Sequence, residues 1–147
     1  MLKVFKKILV PIDLEERAHA DRAVATAVEV ARHQQAELRI MTVLQGFGSP
    51  LVASFFPRDF MNKAVDGMKK ELQDYVAKAV PNDVSATHFV AEGTPYEEIV
   101  AEAKKWKSDL IVLHAHVRKH VETVLLGSCA HKVVETAPCS VWLLRHT

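Results

Sequence analysis

Asp13 directly follows the apolar run Ile8-Leu9-Val10-Pro11-Ile12. A carboxylate at the end of a short buried strand can accept hydrogen bonds from a sugar hydroxyl or a base edge, because ligands of open α/β sheets sit just beyond the carboxyl ends of strands. The same residue serves equally as a helix cap or a solvated turn, and position alone leaves the two uses even. A second group is Leu126-Gly127-Ser128. Gly127 has no Cβ, so a ligand can approach its backbone closely. Ser128 can cap the helix that follows, and the free amides of a first helical turn, with the helix dipole, make an anion site. Gly-Ser before a helix is more often a plain cap. The stretch is neither a GxxxxGK phosphate loop nor a GxGxxG fingerprint. It also lacks GxSxG, so nearby His131 does not make Ser128 a nucleophile.

His114, His116 and His120 put three imidazoles in one short stretch, and imidazole is a common ligand of zinc, nickel or copper. His116 and His120 share a face only in a helical loop, and Glu122 is the one carboxylate at hand to complete a set. Loop histidines without a metal are the simpler reading. Cys129 and Cys139 fit neither a CxxC redox pair nor a paired-cysteine zinc site, and read as two reduced thiols near packed structure. Lys104, Lys105 and Lys107 read as the wet end of a helix, where cations suit its dipole. Trp106 and Trp142 read as core or interface.

Positioning these groups requires a frame, and the hydrophobic period supplies one. Residues 8–12 form a run typical of a strand buried on both faces. Ala20, Ala23, Val24, Ala27, Val28 and Ala31 then recur at steps of three and four, which predicts a helix over 16–34 with a stripe slim enough to lie close to a sheet. Residues 38–44 read as a second strand. The Gly- and Pro-bearing stretch that follows reads as a loop or irregular lid, whose Phe47, Phe55 and Phe56 are expected to pack on the body or on a partner. A second, longer helix runs from Met61 to Ala79, ended by Pro81-Asn82-Asp83. Residues 86–90 form a weaker strand. Thr94 can cap a third helix with Pro95 at its first position, its inner stripe ending at Trp106. Residues 109–113 are the clearest buried strand, 128–136 a fourth helix with Val133 and Val134 inward, and 140–145 a final strand.

Strands alternating with helices describe a parallel sheet covered on both faces, and right-handed crossovers make it doubly wound. Such a sheet has a crevice where the strand order reverses. The chain has 147 residues, the size of one domain, with no repeat or linker dividing it. Nineteen basic and eighteen acidic residues leave a formal +1, which removes the strong basic field of a non-specific nucleic-acid binder. No apolar run approaches the length of a membrane helix and no secretion signal is evident, so a soluble, cytoplasmic protein is expected.

Five segments occur in order: Lys7-Ile8-Leu9-Val10-Pro11-Ile12-Asp13, Gly93-Thr94-Pro95, Ser108-Asp109-Leu110-Ile111-Val112-Leu113, Leu125-Leu126-Gly127-Ser128 and Ala137-Pro138-Cys139-Ser140-Val141. Together they resemble a single-domain universal stress protein over essentially the whole chain, least so between residues 45 and 61. The resemblance implies a Rossmann-like five-stranded parallel sheet in the order 3-2-1-4-5. It also implies a homodimer joined through the last strand, here Val141, Trp142, Leu143 and Leu144. Many members bind ATP or AMP at the crevice with a signature of glycine, two residues, glycine, nine residues, then Gly-Ser or Gly-Thr. The matching positions are His114, Val117, Gly127 and Ser128, so the spacing and last pair are kept while both early glycines are replaced. A branched Val117 is disfavoured at positive φ and would crowd a ligand that needs close backbone contact.

By this resemblance, Pro11, Ile12, Asp13 and the Val43 backbone would face adenine, with Asp13 also near the ribose. The amides of Gly127, Ser128 and Cys129 would take the phosphates, and His114, Ala115 and Val117 would line the ribose-phosphate side. Arg118 and Lys119 could neutralise phosphate charge, although a solvated loop face explains them as well. Mg²⁺ would arrive with the phosphates, keeping most of its waters. No general base and no phosphate-loop lysine stands out, so any ATP turnover should be slow and the use of the nucleotide regulatory. The rival expectations are a dimeric interaction module whose crevice is filled by His114 and Val117, and a metal-responsive variant using the three histidines.

Overall fold

The computed structural model describes residues 4–45, 54, 55, 57–115 and 127–145. Five parallel strands, β1 (Lys7–Pro11), β2 (Glu37–Leu44), β3 (Ala86–Glu92), β4 (Leu110–His114) and β5 (Ser140–Leu144), form one sheet in the order β3-β2-β1-β4-β5. Between them run α1 (Arg17–Gln34), α2 (Arg58–Ala79), α3 (Pro95–Trp106) and α4 (Ser128–Thr136). The doubly wound topology expected from the alternation of elements is the one found. Strand side chains alternate between two cores. Ile8, Val10, Leu38, Ile40, Leu110 and Val112 meet α1 and α2, while Leu9, Met41, Ile111 and Leu113 meet α3 and α4. Both cores are needed because a parallel sheet leaves neither face to water.

The alanine stripe of α1 is buried as its period requires, at Ala20, Ala23, Val24, Ala27, Val28 and Ala31. Side chains this small bring the helix close to β1, β2 and β4. The helix α2 buries only Leu72, Tyr75 and Val76, all in its second half. It is held to α1 by the Tyr75 hydroxyl, which donates to Asp21 Oδ1 at 2.7 Å, and by an Arg17–Glu71 ion pair at 2.8 Å. Burial and the adjacent Asp21 carboxylate both push the Tyr75 hydroxyl well above the usual phenol range. It stays a donor at any ordinary pH.

Several expectations need correction. Val134 is 45% exposed and faces away from the core, because only Val133 of the pair falls on the inner stripe of α4. Phe55 is 77% exposed and does not pack on the body. Phe47 and Phe56 lie outside the described residues. Thr94 holds the cap position of α3 with Pro95 at the first helical position, but its side chain makes no capping bond. The strand β3 runs two residues further than its apolar pattern, to Glu92, because its pairing with β2 continues to Leu44.

The amino ends of the strands are tightly locked. Asp109 Oδ2 accepts from the amides of Lys6 and Lys7 at 2.8 and 3.0 Å, and the Asp109 amide donates to the Lys7 carbonyl at 2.8 Å. Nearby, the Arg39 guanidinium pairs with Glu102 at 2.8 Å, donates to Thr87 Oγ1 and lies 4.7 Å from the Trp106 ring centre. Lys7 approaches the same ring, at 5.3 Å. Glu102 is only 5% exposed, so the pair is stable only while complete. Glu102→Ala is expected to cost about 3 kcal/mol in urea unfolding, the lower end for breaking a buried pair, since Arg39 keeps some contact with water. Glu102→Gln, which retains an acceptor for Arg39, should cost clearly less.

Candidate functional site

The strand order reverses at β1, whose neighbours β2 and β4 lead to opposite ends of the sheet. Pairing between β1 and β4 covers Ile8–Leu110 and Leu9–Ile111, whereas β1 and β2 stay paired as far as Pro11–Met41. The reason is legible in the hydrogen-bond alternation. The Ile12 amide donates to the Met41 carbonyl, so the even-numbered amides of β1 face β2 and the odd-numbered ones face β4. The next odd position is Pro11, which has no N–H to give. The β1–β4 ladder therefore stops at the proline and the two strands part. Beyond it β4 follows β5 alone, with the Ala115 amide donating to the Leu144 carbonyl at 2.8 Å.

Pro11, Ile12, Asp13, Val43, His114 and Ala115, all expected at a site, lie at or just past the carboxyl ends of β1, β2 and β4. Pro11 and Ile12 form one lip, with Ile12 buried against the α1 side. Asp13 is exposed, and its carboxylate is already engaged in the turn into α1: Oδ1 accepts from the Glu15 amide at 2.9 Å while its carbonyl accepts from Glu16. Val43 packs its side chain into the α3–α4 core. By the alternation that points the Met41 carbonyl at Ile12, the Val43 amide and carbonyl face the space past the end of β1. Ala115 is fully buried.

His114 continues the β4 alternation toward the α1 side, opposite to α4. There its ring stacks on His19, centroids 4.1 Å apart and planes within 9°. His19 Nδ1 is in turn 2.7 Å from Glu16 Oε2. Neither Glu16 nor His19 was among the residues singled out from sequence. The only hint was their three-residue spacing at the start of α1, which puts both on one helix face beside the end of β4.

On the other face, α4 begins at the carboxyl end of the sheet and runs back toward the start of β5. Gly127, not Ser128, is its cap, at φ −56° and ψ 153°, and Ser128 is the first helical residue. No side chain caps the helix and its first turn carries no acidic residue. Its leading amides have no intrahelical acceptor by construction, and nothing on α4 itself supplies negative charge to them. Gly127 presents no Cβ to an anion at that helix start. Cys129 tucks its thiol into the α3–α4 core, and burial pushes that thiol upward in spite of the helix start. Cys139 is raised by burial and the Asp109 charge, against a contact to Ser108 Oγ at 3.7 Å. Val117, His116, Arg118, Lys119, His120 and Glu122 lie outside the described residues. Among the described ones no group of histidines, cysteines and carboxylates could hold a metal.

The model of the Universal stress protein family matches residues 5–145. The chain belongs to that family. It is 32% identical to the universal stress protein YxiE of Bacillus subtilis, over 97% of this chain and all of that one. Among solved structures it superposes on the universal stress protein UspA from Lactobacillus plantarum at 29% identity and a TM-score of 0.66, covering 95% of this chain and 97% of that one. Its fold also matches that of the hypothetical protein MJ0577, at 23% identity, a TM-score of 0.78 and 98% of each chain. Two more distant structures of the same fold were solved with ligands: a universal stress protein in complex with cAMP, and one from Archaeoglobus fulgidus with dAMP.

Two measurements follow from this geometry in the universal stress protein. Pro11→Ala supplies an amide facing the Ile111 carbonyl, so hydrogen exchange at position 11 should be protected like that of its strand neighbours, with β1 and β4 zipped one step further. Both thiols should be alkylated by iodoacetamide more slowly than free cysteine at pH 8, with rates still climbing above the ordinary thiol range, because the reactive thiolate is the disfavoured form.

Proposed function

We propose that this universal stress protein is a cytoplasmic stress-response protein that binds an adenine nucleotide, ATP or AMP, at the crevice between β1 and β4. The observation that carries this reading is the gap opened by Pro11 between the Asp13 turn and the uncapped first turn of α4. It offers polar backbone for a base at Val43 and Ile12, a carboxylate within the adjoining turn, and an amide cluster for phosphate. The cAMP and dAMP held by two proteins of the same fold support an adenine ligand. Gly127 and Ser128 keep their place in the signature. His114 replaces its first glycine, yet its ring turns to the α1 face, opposite to α4. Mg²⁺ would accompany a triphosphate. The role is regulatory: the occupied and empty states differ, and that difference is the signal.

A homodimer through β5 belongs to the same proposal. β5 is a sheet edge, and Trp142 on it remains 39% exposed with the Phe5 ring centre 5.7 Å away, an arrangement that a partner chain would cover. The alternative reading, an interaction module with a disused crevice, draws on the His19–His114 stack, which fills the α1 side, and on the exposed Phe55.

Calorimetric titration with ATP and AMP decides between them. Binding is expected, and Gly127→Val should weaken it by about tenfold or more while the circular dichroism spectrum is unchanged. Ser128→Ala should weaken it less, since only a hydroxyl donor is lost and the backbone amides remain. No heat and no thermal shift at millimolar nucleotide would overturn the proposal. Light scattering should give twice the chain mass, and Trp142→Glu should return it to one.

A further inference from the structure

The strand β3 is the other edge of the sheet. The Leu38 amide donates to the Ser85 carbonyl and the Gly93 amide to the Leu44 carbonyl, which brackets the β2–β3 ladder. By alternation the odd-numbered backbone groups of β3 face β2, and those of Ala86, His88, Val90 and Glu92 face outward. Among the described residues none pairs with them. Edges of this kind are normally blunted by lysine, proline, a bulge or brevity. This one has seven residues, a regular register against β2, and no lysine or proline.

Beside the carboxyl half of that edge lies a groove of about 550 Å³. Its floor is Phe89, Val90, Ala91 and Val65, all wholly or partly buried. Its rim is charged: Asp66 from α2, Glu92 at the strand end and Glu98 from α3, against one ammonium at Lys69. The walls come from opposite faces of the sheet, since α2 and α3 belong to different cores. The slot thus continues the sheet plane outward, with a carboxylate on each side of it. Gly93, at φ 142°, keeps the turn out of β3 narrow, and the Glu98 carboxylate folds over it.

We propose that the outer edge of β3 accepts an extended peptide segment of another protein as a sixth strand, and that this peptide carries two adjacent basic residues where it passes the carboxyl end of β3. Main-chain bonds to Ala86, His88, Val90 and Glu92 supply the pairing, as in other cases of strand addition. Successive side chains of a strand point to opposite faces, so neighbouring Lys and Arg residues reach Asp66 on one side and Glu98 on the other. Apolar positions further along rest on Val90 and Phe89. A second copy of this chain is the poorer occupant: two β3 edges joined about a twofold axis run antiparallel, so the carboxylates at the end of one meet the amino half of the other, and β3 carries no lysine or arginine to pair with them. This edge lies outside the nucleotide crevice, so the inference stands or falls apart from it.

The test is fluorescence anisotropy of the full chain with labelled peptides of the length of β3, alternating Thr and Val, with a Lys-Arg pair at one end or the other. One of the two basic peptides should bind in the micromolar range and its Glu-Glu counterpart should not. Methylating alternate peptide amides should weaken binding by about tenfold or more, because it removes the ladder bonds. Asp66→Asn and Glu92→Gln should each weaken it by about threefold, the scale of an exposed ion pair. His88→Pro removes an outward-facing donor and no bond to β2, so it should abolish binding with little change in melting temperature. Equal binding of basic and acidic peptides, indifference to amide methylation, or no binding at millimolar peptide would each overturn the proposal. So would self-association that His88→Pro abolishes, since the edge would then belong to a second copy.

Discussion

A single missing hydrogen-bond donor determines where this sheet opens. The ladder between β1 and β4 has to end somewhere along two strands that point the same way, and it ends at Pro11 because proline has nothing to donate there. Past that point β1 stays with β2 and β4 stays with β5. There α1 covers one face of the sheet and α4 the other. Topology alone would put a crevice at the reversal of strand order, but it would not fix its depth. The proline does, and it places Ile12 and Asp13 on the lip.

An opening of this kind is tolerable only if the same two strands are held firmly elsewhere. The holding is at their other end, where one carboxylate, Asp109, takes two successive amides of the incoming strand while its own amide bonds Lys7. Charge-assisted bonds to backbone are among the stronger ones available to a surface turn. The Arg39–Glu102 pair and the Trp106 ring between Lys7 and Arg39 brace the same end. The molecule is therefore asymmetric along its strands. Charged and aromatic side chains tie the amino ends together, while all four helices begin at the carboxyl ends.

Much of this was legible in the chain. The alanine stripe of α1 gave its buried face residue by residue, because a slim helix on a flat sheet leaves no freedom in which side packs. The runs at Ile8 and Leu110 gave central strands, and the places of Asp13 past a strand end and of Gly127 at a helix start followed from the patterns next to them. What failed depended on contacts rather than on periods. Val133 and Val134 are chemically alike, and only the rotation of α4 against β5 separates the buried one from the exposed one. Ser128 has the chemistry of a cap, yet the extended backbone at Gly127 gives that position to the glycine. The His19–His114 stack joins residues ninety-five positions apart, and neither belongs to a periodic pattern that would reveal it.

The two edges of the sheet also differ in a way that sequence type alone does not disclose. β5 carries an exposed tryptophan against the Phe5 ring, while β3 is bordered by carboxylates, its own Glu92 and those of α2 and α3. Two copies joined at β3 would set these carboxylates against a strand that carries no lysine or arginine, whereas an aromatic patch meets its own kind when the twofold axis passes through it. The acidic edge is thus protected from its own kind by the same carboxylates that favour a basic partner. An exposed strand can remain open without inviting aggregation when the charge beside it, rather than a break in its own backbone, decides what may pair with it.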